Sequence, residues 1–149
     1  MTMIHTRVIE CPFCEYLAGT VPSAFVHRGA TVSAFLNRTQ YERGALLVVP
    51  NVHVGSLLEA DEPLIVDLYR EARRLAHRLV DRLGATGMNV FQNSGVAAGQ
   101  SIPHLHIHVV PRYPSSDPGR CFREADFEIT PVDVLQRLAA QLRPQVNAH

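Results

Sequence analysis

Three histidines, His104, His106 and His108, stand at alternate positions in the run Pro103-His-Leu-His-Ile-His-Val-Val110. Alternate side chains of a strand point to the same face, so the imidazoles share one side and Leu105, Ile107 and Val109 the other. The apolar side can pack on a helix, which leaves the imidazoles in a row roughly 6.6 Å apart, twice the rise per strand residue. Packing alone gives no reason for three imidazoles on one strand face. Two chemistries do. Alternate histidines can ligate a catalytic metal, or one imidazole can act as a nucleophile while a neighbour stabilises charge or donates a proton. The preceding loop, Asn93 to Ser101, favours the second. Gly95 and Gly99 allow close backbone approach, and Asn93, Gln100 and Ser101 offer neutral hydrogen-bonding groups suited to phosphate oxygens.

A second constellation is Cys11-Pro12-Phe13-Cys14. A redox motif of this spacing needs an apolar strand before it, and Arg7 to Glu10 is too short and polar for one. What stays open is a pair of inert thiols or half of a zinc site, since one Cys-x-x-Cys supplies only two of four ligands. Cys121 stands alone in a polar stretch and is assigned no role.

The elements that position these residues follow from periodicity. Ala24 to His27 and Thr31 to Leu36 read as a hairpin around Arg28-Gly29-Ala30, and Ala45 to Val49 as a short apolar strand closed by Pro50. Asp61 caps a long helix with Pro63 in its first turn and Gly84 at its end. Leu64, Leu68, Ala72, Leu75, Leu79 and Leu83 make one stripe along it. Arg70, Arg73, Arg74, Arg78 and Arg82 lie mostly off that stripe, interleaved with Asp67, Glu71 and Asp81, which reads as a solvated face rather than a basic groove. Met88 to Gln92 and Leu105 to Val110 complete the strands. Thr130 and Pro131 start a C-terminal helix with Leu135, Leu138 and Leu142 on its apolar face. At the other end, Gly19 and Pro22 suggest a turn after a short N-terminal segment. The pattern is α+β: a mainly antiparallel sheet, one long helix and a C-terminal helix.

Composition limits the partners. A chain of 149 residues, 46% hydrophobic and 19% charged, fits a single globular domain, read as residues 1–143 with a frayed tail over 144–149. Lys plus Arg and Asp plus Glu each total 14, so there is no positive excess for general binding along nucleic acid. The longest apolar stretch, Ala45 to Val49, is far too short to span a membrane, and Met1 to Glu10 has no signal-type apolar core. The expected location is the cytoplasm, where disulfides are rare.

The sequence resembles the histidine-triad (HIT) family, whose signature His-φ-His-φ-His-φ-φ (φ apolar) is matched by His104 to Val110. The resemblance extends over most of the chain: Cys11-Pro-Phe-Cys14, Ala34-Phe35-Leu36, Leu47-Val48-Val49-Pro50 with His53 after it, Asn89 to Asn93, and Ala98-Gly99-Gln100-Ser101. It implies a homodimeric hydrolase or transferase that acts on the α-phosphate of a purine nucleotide without a catalytic cofactor. Phosphoramidates are the first substrate class implied and dinucleoside polyphosphates the second. By the resemblance His106 attacks phosphorus, the backbone carbonyl of His104 holds the other ring nitrogen of His106, and His108 sits by the phosphate and leaving group. Asn93, Gly99, Gln100 and Ser101 fall at the phosphate, and Phe13, Phe35 and Leu36 at the base. In a cysteine-containing branch of the family the partners of Cys11 and Cys14 match His53 and His104, which implies a structural zinc. His5, His27, His77 and His149 have no such context.

The chain departs from the family pattern twice. Asn37 stands where many members hold the ribose hydroxyls with Asp, and Ala45 follows Gly44 where many have histidine. Two alternatives therefore stay beside the hydrolase reading: a nucleotide-binding or scaffold protein with little turnover, and a metal-dependent hydrolase using the triad.

Overall fold

A computed structural model describes residues 11–144. The expectations about a leader in the first ten residues, about the tail after Pro144, and about His5 and His149 lie outside these residues. The chain opens on a helix, α1 (Pro12–Ala18), where the sequence suggests only a turn. Cys11 caps it, its Sγ accepting the Cys14 N–H at 3.3 Å, and Gly19 ends it at φ 77°. Seven residues are too few to show a helical stripe, which is why periodicity misses it.

The hairpin is formed by β1 (Phe25–Arg28) and β2 (Val32–Leu36), with the Gly29 N–H donating to the Val32 carbonyl at 2.9 Å. Then come β3 (Leu46–Pro50), α2 (Glu62–Leu83), β4 (Gly87–Phe91), β5 (Ile107–Arg112) and α3 (Val132–Leu142). The sheet runs β1-β2-β3-β5-β4, and every neighbouring pair is antiparallel. This is the α+β arrangement that the periodicities predict.

Strand alternation divides the sheet into two faces. Leu46, Val48, Ile107 and Val109 point to the helices and are at most 1% exposed. They meet Leu68, Ala72, Leu75 and Leu79 of α2, with Leu135, Leu138 and Leu142 of α3 in the same core. Burial of each large side chain there contributes about 1.5–3 kcal/mol. Asp61 caps α2, its Oδ1 accepting the Leu64 N–H at 3.0 Å, and Gly84 closes it at φ 73°. Its outward arginines meet acids, Arg70 on Asp67 at 3.3 Å and Arg74 on Glu71 at 3.7 Å, but Glu71 is not on the solvated face expected of it: it is buried, with His27 Nδ1 3.6 Å from its Oε1. No helix among the described residues is long and apolar enough to cross a membrane.

Beyond one-residue shifts at the ends of the other strands, two boundaries differ from the sequence reading. Thr130 does not cap α3. Its N–H donates to the Arg38 carbonyl at 2.9 Å, Ile129 bridges to Thr39, and Pro131 takes the cap position. The strand expected over Leu105 to Val110 runs instead from Ile107 to Arg112. The Leu105 N–H is drawn away from the sheet by the Val54 carbonyl at 2.7 Å. His104 and His106 thus precede the paired strand, and only His108 lies within it.

Candidate functional site

The other face of the sheet builds the site. Phe35 of β2, Leu47 of β3 and Phe91 of β4 lie on this face, and β5 places His108 directly opposite both Leu47 and Phe91. Against this floor α1 lays Phe13 and Tyr16. Phe13 meets Phe35 edge-on at 5.2 Å and the His106 ring at 5.2 Å. The histidine row is therefore not a solvent-facing strand face. His104, His106 and His108 are 0%, 5% and 6% exposed, and the His106 and His108 ring centres are 5.0 Å apart.

The three rings have different surroundings. His104 turns toward the cysteines. Its Nδ1 lies 3.3 Å from Cys11 Sγ and 3.5 Å from Cys14 Sγ, while its Nε2 donates to the Pro50 carbonyl at 2.9 Å. His106 Nδ1 donates to the His104 carbonyl at 2.7 Å, which fixes the tautomer and leaves the Nε2 lone pair unshared. His108 stacks on Phe91 at 4.3 Å with the planes 7° apart, and its buried Nδ1 has no hydrogen-bond partner. Burial pushes all three toward the neutral form. It holds His104 down at about 4 and lowers His106 against the pull of the His104 carbonyl; His108 falls to about 3, with His106 adding to the effect.

Two clefts meet at His106, His108 and Ser101. One, about 230 Å³, is lined by Phe13, Tyr16, Phe35, Leu36 and Asn37. The other, about 300 Å³, is lined by Asn93, Gly99, Tyr41, Phe91 and Phe122. Leu36 borders the first cleft but belongs to the helix-side core. Asn37 is nearly buried, and its Oδ1 accepts the Thr39 N–H at 3.0 Å. The atom left for a ligand is the amide nitrogen, a donor, where Asp would keep a second acceptor. Ala45 packs with Tyr41 and Val110 in an aromatic cluster beside His108, so the position after Gly44 is apolar here.

Gln100 borders neither cleft. Its Oε1 accepts the Gly95 N–H at 2.8 Å, and its Nε2 donates to the carbonyls of Gly55 and Ile102 at 2.7 and 2.9 Å. Both polar groups of that side chain bind backbone, so Gln100 shapes the Asn93–Ser101 turn and ties it to Gly55 instead of reaching into a cleft.

Cys11, Cys14, His53 and His104 form one cluster whose ligand atoms all lie within 4.8 Å of one another. The Cys14 Sγ to His53 Nδ1 distance is 3.3 Å. Tetrahedral bond lengths of about 2.3 Å to sulfur and 2.0–2.1 Å to nitrogen require S···N edges of about 3.5 Å, close to the three observed. The Pro50 carbonyl on the far nitrogen of His104 is the outer-shell support that ligating imidazoles commonly have. These residues fit a metal ion. Without one, burial and the neighbouring Cys11 push the Cys14 thiol up to about 11.

Sequence reasoning missed Tyr41, Phe91, Phe122 and Glu124, all of which border the site. Phe91 was readable in principle, because pairing β4 with β5 sets it opposite His108. Phe122 and Glu124 lie in an irregular stretch with no period to read, where a short 3-10 turn (Glu124–Asp126) carries the carboxylate.

The HIT domain family model matches residues 18–115, and the chain belongs to the HIT family. Among its relatives, protein hit of Bacillus subtilis is 36% identical over 108 residues, 72% of this chain and 74% of that protein. The adenosine 5'-monophosphoramidase hnt1 of Schizosaccharomyces pombe is 26% identical over 126 residues, 85% of this chain and 91% of its own. A crystal structure of a Zn-bound histidine triad family protein from Mycobacterium smegmatis superposes with a TM-score of 0.70 at 28% identity, covering 89% of this chain and 95% of that one.

The loop assignment has a direct check. Gln100→Ala removes three hydrogen bonds at once and is expected to loosen the Asn93–Ser101 turn by about 1–3 kcal/mol. Hydrogen exchange at the Gly95 amide should accelerate tenfold or more; unchanged protection would mean that Gln100 does not hold the loop.

Proposed function

We propose that the chain is a nucleotide hydrolase or transferase acting on the α-phosphate of a purine nucleoside 5′-phosphate derivative, with His106 as the nucleophile. The observation that carries this reading is the 2.7 Å bond from His106 Nδ1 to the His104 carbonyl. It presents a neutral ring with its Nε2 lone pair at the junction of two clefts, the electronic state a nucleophile needs. Depression of the ring's basicity by burial keeps that lone pair unprotonated at neutral pH.

The base and ribose occupy the cleft of Phe13, Tyr16, Phe35 and Leu36, with Asn37 donating to a ribose oxygen, and the phosphate lies against Ser101, Asn93 and the Gly99 turn. Nε2 forms a bond to phosphorus as the bond to the leaving group breaks, and that group departs with the electron pair and a proton taken from water. His108, neutral and held flat on Phe91, lies beside the leaving group. In the second half the hydroxide left by that proton transfer bonds to phosphorus, the N–P bond breaks with its electron pair returning to Nε2, and neutral His106 is restored, for a net consumption of one water. Similarity to an adenosine 5'-monophosphoramidase supports phosphoramidates as the first substrate class, with dinucleoside polyphosphates second.

The metal in the four-residue cluster is zinc on this reading, supported by the Cys₂His₂ donor set and by the Zn-bound relative. All four positions are filled by protein, so the ion is structural: it ties α1 to the sheet and adds folding free energy. We place the protein in the cytoplasm as a homodimer. The outer edge of β4, exposed along most of its length, offers a strand for pairing.

Two experiments test these assignments. His106→Ala should lower turnover of an adenosine 5′-phosphoramidate by several orders of magnitude while nucleotide still binds, the scale on which other covalent catalysts lose activity with their nucleophile; wild-type-like turnover would refute the mechanism. Purified protein should hold about one zinc per chain by elemental analysis, and Cys14→Ser should lower both zinc content and melting temperature. A metal-free protein with an unchanged melting point in that variant would exclude the structural ion.

A further inference from the structure

A carboxylate stands where an anion is to be bound. Glu124 borders both clefts, and its Oε1 lies 3.5 Å from Ser101 Oγ. Among the described residues no arginine or histidine nitrogen lies within 4.0 Å of its carboxylate oxygens. The adjacent Arg123 also lines the second cleft, but its charge is matched by Asp126, whose Oδ2 lies 3.0 Å from its Nε.

The fold holds this position from both sides. Phe122 stacks on Tyr41 at 5.1 Å with planes 21° apart, and Phe127 meets Tyr41 edge-on at 5.0 Å. Downstream, the Thr39–Ile129 bridge and the Thr130 N–H to Arg38 carbonyl bond fix the return to α3. The HIT domain match ends at residue 115, so Glu124 belongs to a segment beyond it. Its charge reaches its neighbours: it adds to the burial that pushes the Tyr41 phenol up to about 12.

An unpaired carboxylate beside a phosphate site weakens binding of every extra negative charge placed near it. The α-phosphate is common to all substrates of the proposed reaction, whereas the group leaving phosphorus is not. Glu124 stands where the two clefts meet, by Ser101, and the second cleft is the one the base leaves free for that group.

We propose that Glu124 is a specificity-determining residue that selects substrates by the charge of the leaving group. It favours phosphoramidates whose amine portion is cationic and disfavours phosphate, sulfate or polyphosphate leaving groups. The inference rests on the hydrolase reading above and narrows its substrate class to amides of amines bearing a second, protonated nitrogen.

The test compares the natural chain, Glu124→Gln and Glu124→Arg on three adenosine 5′-phosphate derivatives: the monoamide of a diamine, the amide of an uncharged aryl-alkyl amine, and a dinucleoside polyphosphate. The quantity read is the ratio of kcat/KM for the cationic to the anionic leaving group. It should fall about five- to tenfold in Glu124→Gln, as expected for a partly screened charge a few ångströms away, and further in Glu124→Arg. Raising ionic strength should shrink the ratio in the natural chain more than in Glu124→Gln. Ratios that match across all three proteins, with substrates turned over, would overturn charge selection and leave the hydrolase reading standing. Turnover of none of the three by the natural chain would overturn that reading and this one with it.

Discussion

His104 holds the site together through three separate groups of one residue. Its Nδ1 faces Cys11 and Cys14, its Nε2–H is bound by the Pro50 carbonyl, and its own carbonyl takes the Nδ1–H of His106. A shift of any one would move the others. The ring is fully buried, so none of these bonds is traded with water. The Cys/His cluster and the proposed nucleophile are thus neighbours along two residues of backbone, and the stability of the first sets the precision of the second.

The rest of the fold supplies rigidity around that residue. On the helix side Leu105, Ile107 and Val109 are 0% exposed, so the histidine stretch is clamped from below by the main core. On the site side Phe13 rests against both His104 and His106, and α1 is itself capped by a cysteine of the cluster. Dense packing of this kind resists continuous deformation. It also keeps the imidazoles neutral, because no water stabilises a charged ring. The chemistry proposed for His106 requires that neutrality.

The fold was legible in the sequence wherever a period was long enough to see. The α2 stripe with Asp61, Pro63 and Gly84 marked its own ends, and strand alternation gave the two faces of β5. Short or irregular pieces were not legible. α1 is under two turns and is capped by a cysteine, which no sequence rule anticipates as a cap. The turn at Leu105 is set by a bond to Val54, a contact across 51 positions that local pattern cannot report. The same limit applies to the site. The triad and the Asn93–Ser101 loop could be named from motifs, and the set of four candidate metal ligands from the family resemblance. The bond of Gln100 to the Gly55 carbonyl, the stacking of Phe91 on His108 and the approach of Glu124 all depend on which distant segments meet.

The central claim is that His106, in the tautomer fixed by the His104 carbonyl, bonds to phosphorus. The most direct measurement is mass spectrometry of protein quenched rapidly with acid or heat during turnover of an adenosine 5′-phosphoramidate, followed by peptide mapping. The account predicts a nucleotidyl adduct on His106. An adduct on His104, on His108 or on any other residue would contradict it.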